Sequence, residues 1–138
     1  MNSVLRNILA VIVGWILGSI VNMGLITLGH SVIPIPNVDP DDMAAMAEVM
    51  PTLAPKYFLF PFLGHALGTL IGAFIAGMIS KTAKMRSALI VGVLFLLGGI
   101  AINIMLTGPT WFTVTDIALA YIPMAWIGGK IAQQMLRN

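Results

Sequence analysis

Four long apolar stretches, separated by short polar or proline-rich segments, set the pattern of the chain. They run from about Ile8 to Ile33, Tyr57 to Ser80, Ala88 to Leu106 and Phe112 to Ile131. A helix needs about 20 apolar residues to cross the hydrocarbon of a bilayer, so each stretch predicts one span. The expected fold class is an all-α integral membrane protein, a four-helix transmembrane bundle formed by residues 1–138 as a single domain. The first stretch begins just after Arg6 and Asn7, as a signal peptide would. A signal peptide's apolar region, however, is only about 7 to 15 residues long and ends at a small-residue cleavage site. Here the run is longer and Gly29-His30-Ser31-Val32 is a poor cleavage site, so a retained helix is expected.

The segment from 34 to 56 interrupts the pattern. Pro34, Pro36, Pro40, Pro51 and Pro55 forbid one continuous helix, because proline lacks an N–H and its ring clashes with the carbonyl one turn earlier. Between them, Asp39-Pro40-Asp41-Asp42 has the form of a helix start. Asp39 stands as N-cap, Pro40 in the first turn, and two carboxylates lie near the positive dipole end. A short amphipathic helix from Pro40 to Met50 is expected, with Met43, Met46, Ala47 and Met50 on one face at i, i+3, i+4 and i+7. Such a helix lies on the membrane surface or caps the bundle.

Composition sharpens this picture. Only 9% of the residues are charged and 59% are hydrophobic, with a mean hydropathy of +0.99. Soluble domains carry about 25% charged residues, so a soluble globular protein is excluded. Arg6, Lys81, Lys84, Arg86, Lys130 and Arg137 fall on one side of a four-span chain and Lys56 alone on the other. Asp39, Asp41, Asp42, Glu48 and Asp116 all lie toward that other side. By the positive-inside rule both termini and the 81–86 loop are cytoplasmic, giving a multi-pass protein of the cell membrane whose 34–56 loop is external. The net charge of +2 is then an ordinary cytoplasmic flank, and lipids rather than nucleic acid are the expected surroundings. Trp111, Phe112, Tyr57, Phe58 and Phe60 gather at the outer ends of spans two and four, as an aromatic belt would. The absence of cysteine removes disulfides, thiol catalysis and thiolate metal sites together.

Lipid is as apolar as leucine, so spanning helices associate through close backbone packing and buried polar contacts. Small residues therefore mark the contact faces: Gly14 and Gly18; Gly64, Gly68, Gly72 and Ala76; Gly92 and Gly99; Ala118, Ala125 and Gly129. The second span, with three glycines in steps of four, is expected at the centre of the bundle or on a dimer interface.

Candidate chemistry rests on four polar residues within the spans. His65 lies about 12 Å below the outer surface, on the face of Thr69, Gly72 and Ala76, and Asp116 about 6 Å below it, on a stripe with Ala120, Pro123 and Ile127. Asn22 shares the face of Gly18, Gly29 and Trp15, and Asn103 that of Gly92, Gly99 and Thr107. Ionisable groups in a membrane are costly, so His65 and Asp116 require partners or water. An outward-facing polar cavity built from Asn22, His65, Asn103 and Asp116 is one reading; a buried structural pair of His65 with Asp116 is the other. Pro123 is expected to release the carbonyl of Leu119 and kink span four. A haem or metal site using His30 and His65 is disfavoured by their difference in depth. The external methionines read as a packing stripe rather than a Cu(I) site, and no cofactor is expected.

In size and span number the chain is similar to small multidrug-resistance transporters and fluoride channels. The likeness stops there, since the first span has no embedded glutamate and the threonine and phenylalanine motifs of the fluoride type are not found. Three functions follow as expectations: an oligomeric transporter or channel, probed through its ion or small-molecule substrate; a scaffold or accessory subunit; and a lipid- or quinone-handling membrane enzyme. A homo-oligomer is expected for the first.

Overall fold

The computed structural model describes residues 1–137, of which Asn2 to Ser3 open the first helix. The fold is all-helical, 81% helix, with no strand among the described residues. In chain order the helices are α1 (Ser3–Val32), α2 (Met43–Val49), α3 (Leu59–Ile79), α4 (Lys84–Met105), α5 (Thr110–Leu119) and α6 (Ile122–Met135). Short 3-10 turns at Met50–Thr52 and Pro55–Phe58 lead into α3. Four segments are long and apolar enough to cross a membrane: Ser3–Val32, Pro55–Ile79, Lys84–Met105 and Thr110–Met135.

These segments match the four predicted ones, but α1 and α4 begin about four or five residues earlier. The polar first turns explain the difference. Asn2 caps α1 by accepting from the Val4 amide, and Arg6 and Lys84 are tied to the end of α3 rather than left in a loop. Arg6 Nε donates to the Ile79 carbonyl at 2.7 Å and Lys84 Nζ to the Ser80 carbonyl at 3.1 Å. Both cations thereby meet the negative end of the α3 dipole. Asn7 completes the joint, its Oδ1 accepting from Ser80 Oγ and the Lys81 amide. Arg6, Lys81 and Lys84 thus share one end of the bundle, and the acidic 34–56 segment, with Lys56, covers the other.

Helix α3 is the axis. It runs antiparallel to α1, and glycine rows on the two helices face each other backbone to backbone. A Cβ added at Gly72 would stand 2.7 Å from the Gly14 carbonyl oxygen, and one at Gly68 2.8 Å from that of Gly18. On its opposite side α3 meets α6, where Gly77 faces Ala132 and Gly128 faces the Leu70 carbonyl. Helix α4 closes the third side, with Gly92 against Ala125 and Gly129 against Ala88. The glycine rows of the second span are therefore used within one chain. The core they surround is mostly alanine, with Val91, Phe95 and Tyr121 as its large members.

Two local expectations change. The N-cap of α2 is Asp42, whose Oδ1 accepts from the Ala44 and Ala45 amides; Asp39 instead closes a preceding turn by accepting from the Asp41 amide. With the start moved to Met43, the methionine stripe splits: Met46 and Met50 are buried while Met43 is exposed. Met46 and Met50 cover Phe58 and Phe112, whose ring centroids lie 4.6 Å apart. So α2 caps the bundle, and Phe58 and Phe112 belong to its roof rather than to a surface belt.

Span four is broken rather than kinked. Pro123 in the first turn of α6 cannot donate to Leu119, and the chain turns at Ala120 and Tyr121 before the helix restarts. The break re-phases the buried face. Asp116 and Ala120 are buried before it, and Ala125, Gly128, Gly129 and Ala132 after it. Pro123 and Ile127, placed on the Asp116 stripe by a straight helix, are exposed, and so is Ala118.

Candidate functional site

The polar residues of three spans meet at one point. His65 on α3 and Asp116 on α5 are 2.8 Å apart, Nδ1 to Oδ1. Asn103 on α4 donates from Nδ2 to Asp116 Oδ2 at 3.1 Å and to the Gly99 carbonyl at 2.8 Å. Tyr121, at the break, donates its hydroxyl to the same Oδ2 at 2.9 Å. Around this centre, Thr113 Oγ1 donates to Asn103 Oδ1 and Thr69 Oγ1 to the His65 carbonyl. Asp116 is 0% exposed, and both carboxylate oxygens are engaged by side chains. Buried polar groups are costly unless paired, and this network supplies the pairing from three helices.

The break in span four builds part of it. In a straight helix a residue five positions after Asp116 would point about 140° away. The turn at Ala120 and Tyr121 swings the phenol back over the carboxylate, where its ring packs on Gly99 and lies 5.7 Å from the His65 ring. Sequence reading missed Tyr121 for this reason, although Pro123 two residues later was the available sign.

Beside the cluster lies a cavity of about 610 Å³. Its walls are α1 (Trp15, Ser19, Asn22, Met23, Ile26) and α4 (Leu94, Phe95, Gly98, Ile102, Asn103), with His65 and Tyr121 at the back and Met46 and Met50 in the roof. Lys56, His30 and Asp41 stand at its rim. The two wall helices approach one another at Gly18 and Phe95. Gly98 keeps its wall clear, with no atom within 4 Å of where a Cβ would stand.

Three of the four predicted residues, Asn22, His65 and Asn103, line this cavity. Asp116 does not; it is sealed behind His65, Asn103 and Tyr121. The cavity is also mainly apolar, its polar groups being few and set singly along both walls, at the back and at the rim. The pairing of His65 with Asp116 and the cavity, set against each other as alternatives in the sequence, are compatible because an imidazole has two nitrogens. Nδ1 is taken by Asp116. Nε2 has no hydrogen bond among the described residues and is not sealed from the cavity, into which 11% of the side chain is exposed. A histidine oriented through one nitrogen by a carboxylate can donate or accept a proton through the other.

Asn22 stands apart from the cluster, against Gly64 and Gly68 on the α1–α3 contact. Among the described residues no three His, Asp or Glu side chains come together. No described protein family matches the chain, and no curated protein or solved structure matches it.

Proposed function

We propose that this is a multi-pass membrane protein that binds a small hydrophobic ligand taken from the lipid phase, with His65 as its polar anchor. The observation that carries the reading is the free Nε2 of a carboxylate-oriented histidine at the back of a mainly apolar cavity. Ligand sites are typically concave and apolar with a few placed polar groups, and this cavity has that form. Binding in it requires no second chain and no through-path. Transport is less well supported, because the polar lining ends at Ser19 and the close approach of Gly18 to Gly68 and Phe95 lies beyond it. Among the functions expected from sequence, lipid or quinone handling fits best, with His65 giving or taking a proton at the ligand.

Gly98→Leu tests this without disturbing the packing, since the new side chain enters open space. Solvent extraction of the purified parent protein is expected to release a hydrophobic small molecule in near-stoichiometric amount, and extraction of Gly98→Leu only traces. Both proteins should melt at the same temperature in detergent. Equal amounts from both would remove the cavity from the function.

The gathering of six cations at one end supports a cytoplasmic placement of that end and of both termini. The chain has no cysteine of its own, so introduced ones report cleanly. A cysteine at Asp42 is expected to react with an impermeant thiol reagent on intact cells, and one at Lys84 only after permeabilisation. The reverse pattern would invert the orientation.

A further inference from the structure

We infer that the ligand's head is a small uncharged carbonyl compound of the quinone class, held at two points by Asn22 Nδ2 and His65 Nε2. This rests on the ligand-binding reading above and adds the chemistry of the head. Asn22 Oδ1 is the one buried side-chain oxygen or nitrogen without a hydrogen bond among the described residues. A Cβ built at Gly64 would stand 2.9 Å from it, so the oxygen faces the hydrogens on Gly64 Cα. A Cα–H···O contact of this kind favours the oxygen there, whereas an amide NH2 would be repelled. The amide is thereby oriented with its oxygen toward α3 and its NH2 away.

That NH2 group has no partner among the described residues, yet it is not sealed, and Asn22 lines the cavity. An amide nitrogen only donates, so its ligand must present an acceptor oxygen. His65 follows Gly64 in α3 and therefore stands at nearly the same level, where Nε2 can donate to a second oxygen or exchange a proton with it.

Depth and charge then narrow the head. His65 lies about 9 Å along α3 from its start at Leu59, and Asn22 on α1 stands against Gly64 at that level. Lys56 is the one lysine or arginine lining the cavity, and it sits at the mouth, 5.0 Å from the Tyr57 ring. A phosphate would stay with Lys56, because an ionised head is costly at the depth of His65. An ester carbonyl is held near the interface by the headgroup it carries. Quinone carbonyls belong to an uncharged ring that dissolves in the hydrocarbon interior, and an isoprenoid tail can leave between α1 and α4. Phe95 in the α4 wall and Tyr121 at the back put two aromatic rings in the cavity lining, suited to a planar head.

Trp15 in the cavity wall is the reporter, in a Trp111→Phe, Trp126→Phe background that leaves it the sole tryptophan. Decylubiquinone is expected to quench its fluorescence saturably. Decylbenzene, with the same tail but no carbonyl, should compete at least about tenfold more weakly, the affinity of one hydrogen bond. Asn22→Ala should weaken decylubiquinone by about tenfold and leave decylbenzene unchanged, and monoolein, an ester carbonyl lipid, should not compete. Equal competition by decylbenzene or by monoolein would overturn the quinone-type head while leaving cavity binding in place. Absence of saturable quenching by every probe, with Gly98→Leu indistinguishable from its parent, would instead overturn the cavity reading itself.

Discussion

Asp116→Leu is expected to destabilise the bundle by about 3–5 kcal/mol, because it removes the buried acceptor of a three-donor network and strands its partners. Among the described residues the carboxylate is the sole acceptor for His65 Nδ1 and for the Tyr121 hydroxyl, and it takes one bond from Asn103. Each stranded donor costs about 1–3 kcal/mol. Asn103 retains the Gly99 carbonyl, so its share is the smallest. His65→Leu is expected to fall in the same range, because it leaves the buried Asp116 carboxylate with two donors instead of three. The double variant should recover a large part of the summed loss, since nothing then remains to be paired across α3 and α5. Denaturant unfolding in detergent of the two single variants and the double gives the coupling energy. If Asp116→Leu lay within about 1 kcal/mol of the parent, the network would not be part of what holds the helices together.

Gly68→Leu is the second large effect. A side chain there begins 2.8 Å from the Gly18 carbonyl oxygen and 2.9 Å from Asn22 Cβ, so α1 and α3 must separate along their whole glycine seam. Overpacking typically costs about 1–3 kcal/mol, and here the obstacle is backbone, which cannot rotate away. Loss of folded, monodisperse protein is the expected result. Leu67→Ala, one position away on a half-buried face, should cost about 1–2 kcal/mol and leave recovery unchanged. Equal recovery of the two variants would mean that the seam tolerates separation.

The four long apolar helices and the central place of α3 were legible because both follow from local composition. Twenty apolar residues set a span, and three glycines in steps of four mark a close helix contact wherever it occurs. His65, Asn22, Asn103 and Asp116 were legible as polar residues within apolar helices; His65 and Asn103 pair with Asp116, whereas Asn22 stands apart from them. What was not legible depends on the break in span four. Pro123 announced a disturbance, but only the turn at Ala120 and Tyr121 decides that the phenol returns to Asp116 and that Pro123 and Ile127 face outward. The cap of α2 was misplaced by three residues because Asp39 and Asp42 are equally good caps in isolation, and the backbone turn between them chooses. The apolar character of the cavity was hidden for a different reason. It is lined by side chains of α1 and α4 that look like any lipid-facing residues until the gap between the two helices is seen.

The central claim is that His65 is held by Asp116 through Nδ1 and meets a ligand through Nε2. Nitrogen NMR of the histidine-labelled protein, recorded before and after detergent exchange strips the bound ligand, tests it most directly. The account predicts that the His65 Nε2 resonance moves on stripping while Nδ1 stays in place, and that Gly98→Leu shows no change. An Nε2 resonance identical in the loaded and stripped protein would contradict it.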